Sequence, residues 1–73
     1  MNLSEAQKLW YNFLPIEDVL FKYNDYVHIK FGKHKGKFAS VISLESLQPI
    51  KYLVELDSGD GDFVIAEFEI EKS

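Results

Sequence analysis

The chain has no cysteine and no arginine, only two prolines and four glycines, and no long apolar run. Without cysteine there is neither a disulfide framework nor a thiolate metal site, and nothing points to an oxidising compartment. Without a stretch of roughly 20 apolar residues there is no segment that reads as a membrane-spanning helix. The opening MNLSEAQK has no basic segment leading into an apolar one, so it does not read as a secretory signal. The expected location is cytoplasmic. Missing arginine matters for partners, because arginine reads guanine and stacks on bases better than lysine does. The eight basic residues are all lysine and are outnumbered by twelve carboxylates, for a net charge of −4. That balance disfavours nucleic acid, whose binding rests on cations neutralising phosphates.

What the chain does have is apolar and aromatic bulk, 47% and 15% of its 73 residues. A domain of this length buries only about 60% of its unfolded surface, so each large apolar side chain counts. The charges are also segregated. Lys30, Lys33, Lys35 and Lys37 lie together, while Glu55, Asp57, Asp60, Asp62, Glu67, Glu69 and Glu71 crowd the last third.

Residues 1–14 read as a helix. Leu3, Ala6, Trp10 and Phe13 recur at helical spacing, with Leu9 and Leu14 widening the stripe. Its start is either Ser4 with Gln7 or Asn2 with Glu5, both of capping-box spacing, and Pro15 ends it. Residues 16–23 suit a further helical turn or a strand. From Tyr26 the period becomes two: Val27, Ile29 and Phe31 alternate with Tyr26, His28 and Lys30. Strands are expected at 26–31, 37–44, 50–57 and 62–66, with a short closing strand or helical turn over 68–71. The expected shared core is Val27, Ile29, Val41, Val54, Leu56 and Ile65.

Residues 24–71 resemble the KOW motif, which opens small SH3-like β-barrels. Asp25 stands at its acidic start, and Val27 and Ile29 are similar to its V-x-V pair. Gly32 sits at its strand-ending glycine, Lys35-Gly36 at its K-G step and Val41 at the core valine after it. Tyr52 to Asp57, YLVELD, is similar to its third strand, and Phe68 to Glu71 to its closing segment. Ala39 departs from the pattern, standing where the family carries a second glycine, and this weighs against an RNA-binding reading. The resemblance implies a mainly β fold: a five-stranded SH3-like barrel over residues 24–73, with residues 1–23 as a helical leader packed on it. In size, acidity and lack of catalytic residues the chain is also similar to SH3-like immunity proteins of bacterial polymorphic-toxin systems.

No chemistry-bearing constellation accompanies that fold. His28 and His34 are the only histidines, so zinc would need carboxylates to complete its ligands. The Asp57–Asp62 run has the look of a calcium loop, but its twelfth position is Phe68 rather than a glutamate. Gly32 to Lys37 is too short for a phosphate-binding loop and joins two strands. The expectation is therefore a non-enzyme without cofactor or metal that binds another, basic protein. Its candidate contacts are Glu55, Asp57, Asp60, Asp62, Glu67 and Glu69, with Trp10 or Tyr11 as aromatic anchors. The rival expectation is an RNA or ribosome contact through Lys30, Lys33, His34, Lys35 and Lys37.

Overall fold

The computed structural model describes residues Met1–Ser73. One helix, α1 (Leu3–Tyr11), precedes five strands: β1 (Tyr26–Ile29), β2 (Phe38–Leu47), β3 (Ile50–Leu56), β4 (Asp62–Ala66) and β5 (Ile70–Lys72). A 3-10 turn, Glu67–Glu69, links the last two. The strands form a single antiparallel sheet in the order β4-β3-β2-β1-β5. The fold is thus mainly β with an N-terminal helix. The hydrogen-bonded ladder does not close on itself: β4 and β5 are its two edges.

Asn2 starts the helix, its Oδ1 accepting from the Glu5 N–H at 2.8 Å, so the earlier of the two capping positions is used. The helix stops at Tyr11, short of the expected Leu14. Phe13 enters the left-handed region with φ 58°, and the Leu14 and Phe13 N–H groups close back on Leu9 O and Trp10 O. This hydrogen-bond pair makes a Schellman ending built on a phenylalanine instead of a glycine. It swings Phe13 and Leu14 off the apolar stripe, and both are about half exposed. Ala6 and Trp10 alone carry the buried face.

Residues 16–23 form neither the helical turn nor the strand expected, only a turn in which the Val19 N–H meets Ile16 O. The segment is a strap pinned at Phe21. The buried Phe21 donates its N–H to the Tyr52 hydroxyl and accepts from Trp10 Nε1 at 2.7 Å.

Alternation holds along the strands. All six expected core residues are buried, joined by Ala6, Trp10, Phe21, Ala39, Leu44, Tyr52 and Ile70. Ala39 is fully buried on β2, paired to Val27 on one side and Leu56 on the other. Strand β1 ends at Ile29, earlier than expected: the Lys30 N–H still meets Glu69 O in the β1–β5 register, but on the β2 side the Gly36 N–H closes the loop onto Ile29 O. Phe31 therefore leaves the core face and stands 54% exposed. Strand β2 runs longer than expected. Irregularities between Val41 and Ser43 and between Leu44 and Ser46 bend it, so that one strand serves β1 at its start and β3 along its length.

Val54 lies at the centre of this core, fully buried between Val41 on β2 and Phe63 on β4. Val54→Ala should cost roughly 1–3 kcal/mol through lost burial and the cavity left behind. Urea unfolding checks this; an unmoved midpoint would place β3 outside the cooperative core.

Candidate functional site

Side chains on neighbouring strands line up in rows wherever the register puts them opposite one another. On the outer face of the sheet the register Tyr26–Ser40, Ser40–Glu55 and Glu55–Asp62 makes one row across β1, β2, β3 and β4. A second row runs Glu71, His28, Phe38 and then Asp57, whose N–H donates to Phe38 O at 2.9 Å. These two rows bring together residues far apart in the chain.

The second row is aromatic at its centre. The Leu56 N–H to Gly61 O and Ile29 N–H to Lys37 O bonds fix the phase of their ladders. Glu55–Asp62 and His28–Phe38 are thereby narrow, non-hydrogen-bonded pairs with Cα atoms about 4.5 Å apart. His28 accordingly lies 4.9 Å from Phe38 between ring centroids. Tyr26 stacks on the same Phe38 ring at 5.6 Å and 10° between planes. Each end of this three-ring stack meets a carboxylate. Asp57 Oδ2 accepts from the Tyr26 hydroxyl at 2.9 Å, and Glu71 Oε1 lies 3.4 Å from His28 Nδ1. The hydrogen bond to Asp57, followed by desolvation and the carboxylate's charge, pushes the Tyr26 phenol above its ordinary pKa.

Of the acids read from the sequence, Glu55, Asp57, Asp60 and Asp62 gather at this corner and are exposed. Asp60 accepts from the Ser58 hydroxyl at 2.8 Å within the β3–β4 turn. Glu55 and Asp62 face each other with no cation on either. Glu67 and Glu69 are not part of the face. Glu67 turns inward and accepts from the Tyr52 hydroxyl and the Leu20 N–H, while Glu69 Oε1 accepts from the Ala66 N–H. Their carboxylates serve backbone groups freed by the 3-10 turn and by the strap, a capping duty that acidic composition does not reveal.

Of the two aromatic anchors, Trp10 is excluded by burial at 2% exposure, since its indole supplies the core under the strap. Tyr11 stays outward at 47% exposure, its hydroxyl donating to Ile42 O at 3.1 Å. Tyr26, His28 and Phe38 were absent from the expected site. Outward alternation of Tyr26 and His28 is visible in the sequence, but Phe38 joins them only through the cross-strand register.

The lysine loop is held by Gly32 and Gly36, both at φ 90°, a region that favours glycine. Lys33, Lys35 and Lys37 are exposed, and neither ion pair in the structure, Lys72–Asp25 or His28–Glu71, involves them. His34 does not join them. Its ring lies on Phe63 at 4.4 Å, and its Nδ1 is buried without a hydrogen-bond partner. This ring walls a cleft of about 270 Å3 between the loop and β4, lined also by Phe31, Lys33, Val64 and Glu69. Small-molecule sites run to about 300–1,000 Å3, so this cleft has the size for a side chain rather than a cofactor. A second open cleft, about 310 Å3, is lined by Lys37, Phe38, Asp57, Ser58 and Asp60.

No three His, Cys, Asp or Glu side chains converge as a metal ligand set, and no helix is long and apolar enough to cross a membrane. No family model, curated protein or solved structure matches the chain.

Proposed function

We propose that this is a non-catalytic protein-binding module with an SH3-like barrel fold, whose outer sheet face at the β3–β4 corner takes a basic partner protein. Five antiparallel strands, the last returning to pair with the first, a bent second strand and one buried face support the barrel reading. The observation that carries the function is the Glu55–Asp62 pair. Like charges directly opposite each other on a sheet destabilise it. Here they stand in a narrow pair, exposed, with Asp57 and Asp60 nearby and only Lys37 bordering the corner. A cationic partner relieves that repulsion and is steered to it by charge. The specific form of the proposal is an inhibitor or immunity-type protein, acting in the cytoplasm, that masks a basic surface of its target.

The test sets stability against binding in one variant. Asp62→Asn should stabilise the free protein by about 0.2–1 kcal/mol, because it removes the repulsion. The same change should weaken binding of a hexalysine peptide to the full chain at about 50 mM salt, where surface charges are little screened. Unchanged peptide affinity would remove the corner from the function. The second reading rests on the unpaired Lys33, Lys35 and Lys37. Three phosphate contacts to single-stranded RNA imply a log–log salt slope of about −2, from roughly 0.7 per contact. Saturable RNA binding with that slope, lost on changing these lysines to glutamine, would move the function to the loop.

A further inference from the structure

The carboxylates alone do not distinguish one cation from another; the aromatic stack beside them does. Tyr26, Phe38 and His28 stand in a column on the outer face, each only partly covered, with Asp57 anchored at one end and Glu71 at the other. An exposed three-ring column contributes little to the stability of a monomer whose core lies on the opposite face. Tyr26 and Phe38 lie within 10° of parallel and His28 is tilted by 34° to Phe38, with none of the three buried, and this ordered open face is the feature that needs an occupant. A lysine ammonium is a compact, strongly hydrated charge and gains most from bare carboxylates. A guanidinium is planar and weakly hydrated. It continues a column of rings, and the N–H groups in its plane reach the carboxylate at the column's end. Both ends of this column offer that combination.

We infer that the Tyr26–Phe38–His28 column, with Asp57 and Glu71, is a docking surface for arginine side chains of an extended segment in the partner protein. The inference rests on the proposed binding of a basic protein and names the residue type that partner presents. The face is complementary to it in charge, since Glu55, Asp57, Asp62 and Glu71 all lie on these two rows. Arginine on alternate positions of an extended chain would follow the alternate outward residues of β1.

The experiment compares hexa-arginine with hexalysine on the full chain, by calorimetry and by the backbone amide resonances. Hexa-arginine should bind about three- to fivefold tighter at equal charge, the factor expected of an exposed cation–aromatic contact. It should shift Tyr26, His28 and Phe38. Phe38→Leu keeps an apolar side chain at this partly exposed position and should bring the two peptides to parity. Tyr26→Phe keeps the ring and should preserve the preference. Equal affinities in the unsubstituted protein would overturn the inference while leaving the acidic corner intact. A preference that survives Phe38→Leu would overturn it as well. A dodeca-uridine RNA that binds the column more tightly than hexa-arginine would reassign it to base stacking. Asp62→Asn should weaken both peptides by the same factor, so loss of the corner and loss of the arginine preference are read separately.

Discussion

Trp10→Ala should cost the protein about 3–5 kcal/mol of stability at 25 °C. The indole is 2% exposed and lies where helix, strap and sheet meet. Its ring packs edge-on to Tyr11 at 5.0 Å and Tyr23 at 6.2 Å and tilts against Tyr52 at 6.4 Å. Its Nε1 is the donor that satisfies the Phe21 carbonyl. Removing a buried tryptophan side chain costs about 3–5 kcal/mol. At roughly 0.05–0.15 kcal/mol per residue, the whole stability of a chain this size is about 4–11 kcal/mol. The single truncation thus takes away a large share or all of it. Trp10→Phe separates the two contributions, because it keeps most of the ring volume and loses the hydrogen bond, for about 1–3 kcal/mol. Urea unfolding followed by far-UV circular dichroism reads both. If Trp10→Ala shifted stability by less than about 1 kcal/mol, the helix would be an independent arm and the sheet would be closing its core without it.

That dependence was legible in the sequence only in outline. The helical spacing of Ala6 and Trp10 marks a buried stripe, and the same spacing wrongly extends it to Phe13. What ends the helix is a left-handed residue, and phenylalanine carries no composition signal for that conformation. On the sheet, period-two alternation is a local property, so it located β4 exactly as bounded, β3 to within a residue at its end, and the six core residues. Phe31 escaped because β1 ends where the glycine loop closes back on it, through the Gly36 N–H to Ile29 O, a contact that alternation does not display.

The candidate site was legible as charge and not as geometry. Glu55 and Asp62 are close in sequence across a hairpin turn, so their meeting follows from the turn. Tyr26, Phe38 and Asp57 meet only once β1, β2 and β3 are in register, which no window of sequence displays. Glu67 and Glu69 looked alike with the other acids. Both were drawn away by backbone N–H groups left free where the chain turns. Unsatisfied backbone donors compete for carboxylates, and the competition is decided by tertiary structure.

Tyr52→Phe should destabilise the protein by about 2–3 kcal/mol although it removes a single oxygen. The ring is fully buried, and its hydroxyl joins three parts of the fold. It donates to Glu67 Oε2 at 2.5 Å and accepts from the Phe21 N–H at 3.2 Å, so sheet, 3-10 turn and strap meet at one atom. Phenylalanine fills the same space but leaves the buried Phe21 N–H without an acceptor, at a cost of about 1–3 kcal/mol, and takes a donor from the Glu67 carboxylate. The same hydroxyl sets the alkaline limit of stability. Burial, and then the hydrogen bond to Glu67, pushes the Tyr52 phenol well above its ordinary value of 10.0. A group whose folded pKa is raised keeps its full contribution below the unfolded pKa and loses it as pH rises toward the folded one. Above about pH 10 the unfolded chain therefore releases this proton while the folded chain retains it. Stability falls there by up to about 1.4 kcal/mol per pH unit from this residue. Tyr26 pulls in the same direction through its bond to Asp57. Tyr52→Phe should flatten the decline between about pH 10 and 12 while lowering stability throughout the neutral range. Urea midpoints measured across that range, with Tyr26→Phe alongside, assign the slope. A Tyr52→Phe curve parallel to that of the unsubstituted protein would show that the Tyr52 phenol does not set the alkaline slope.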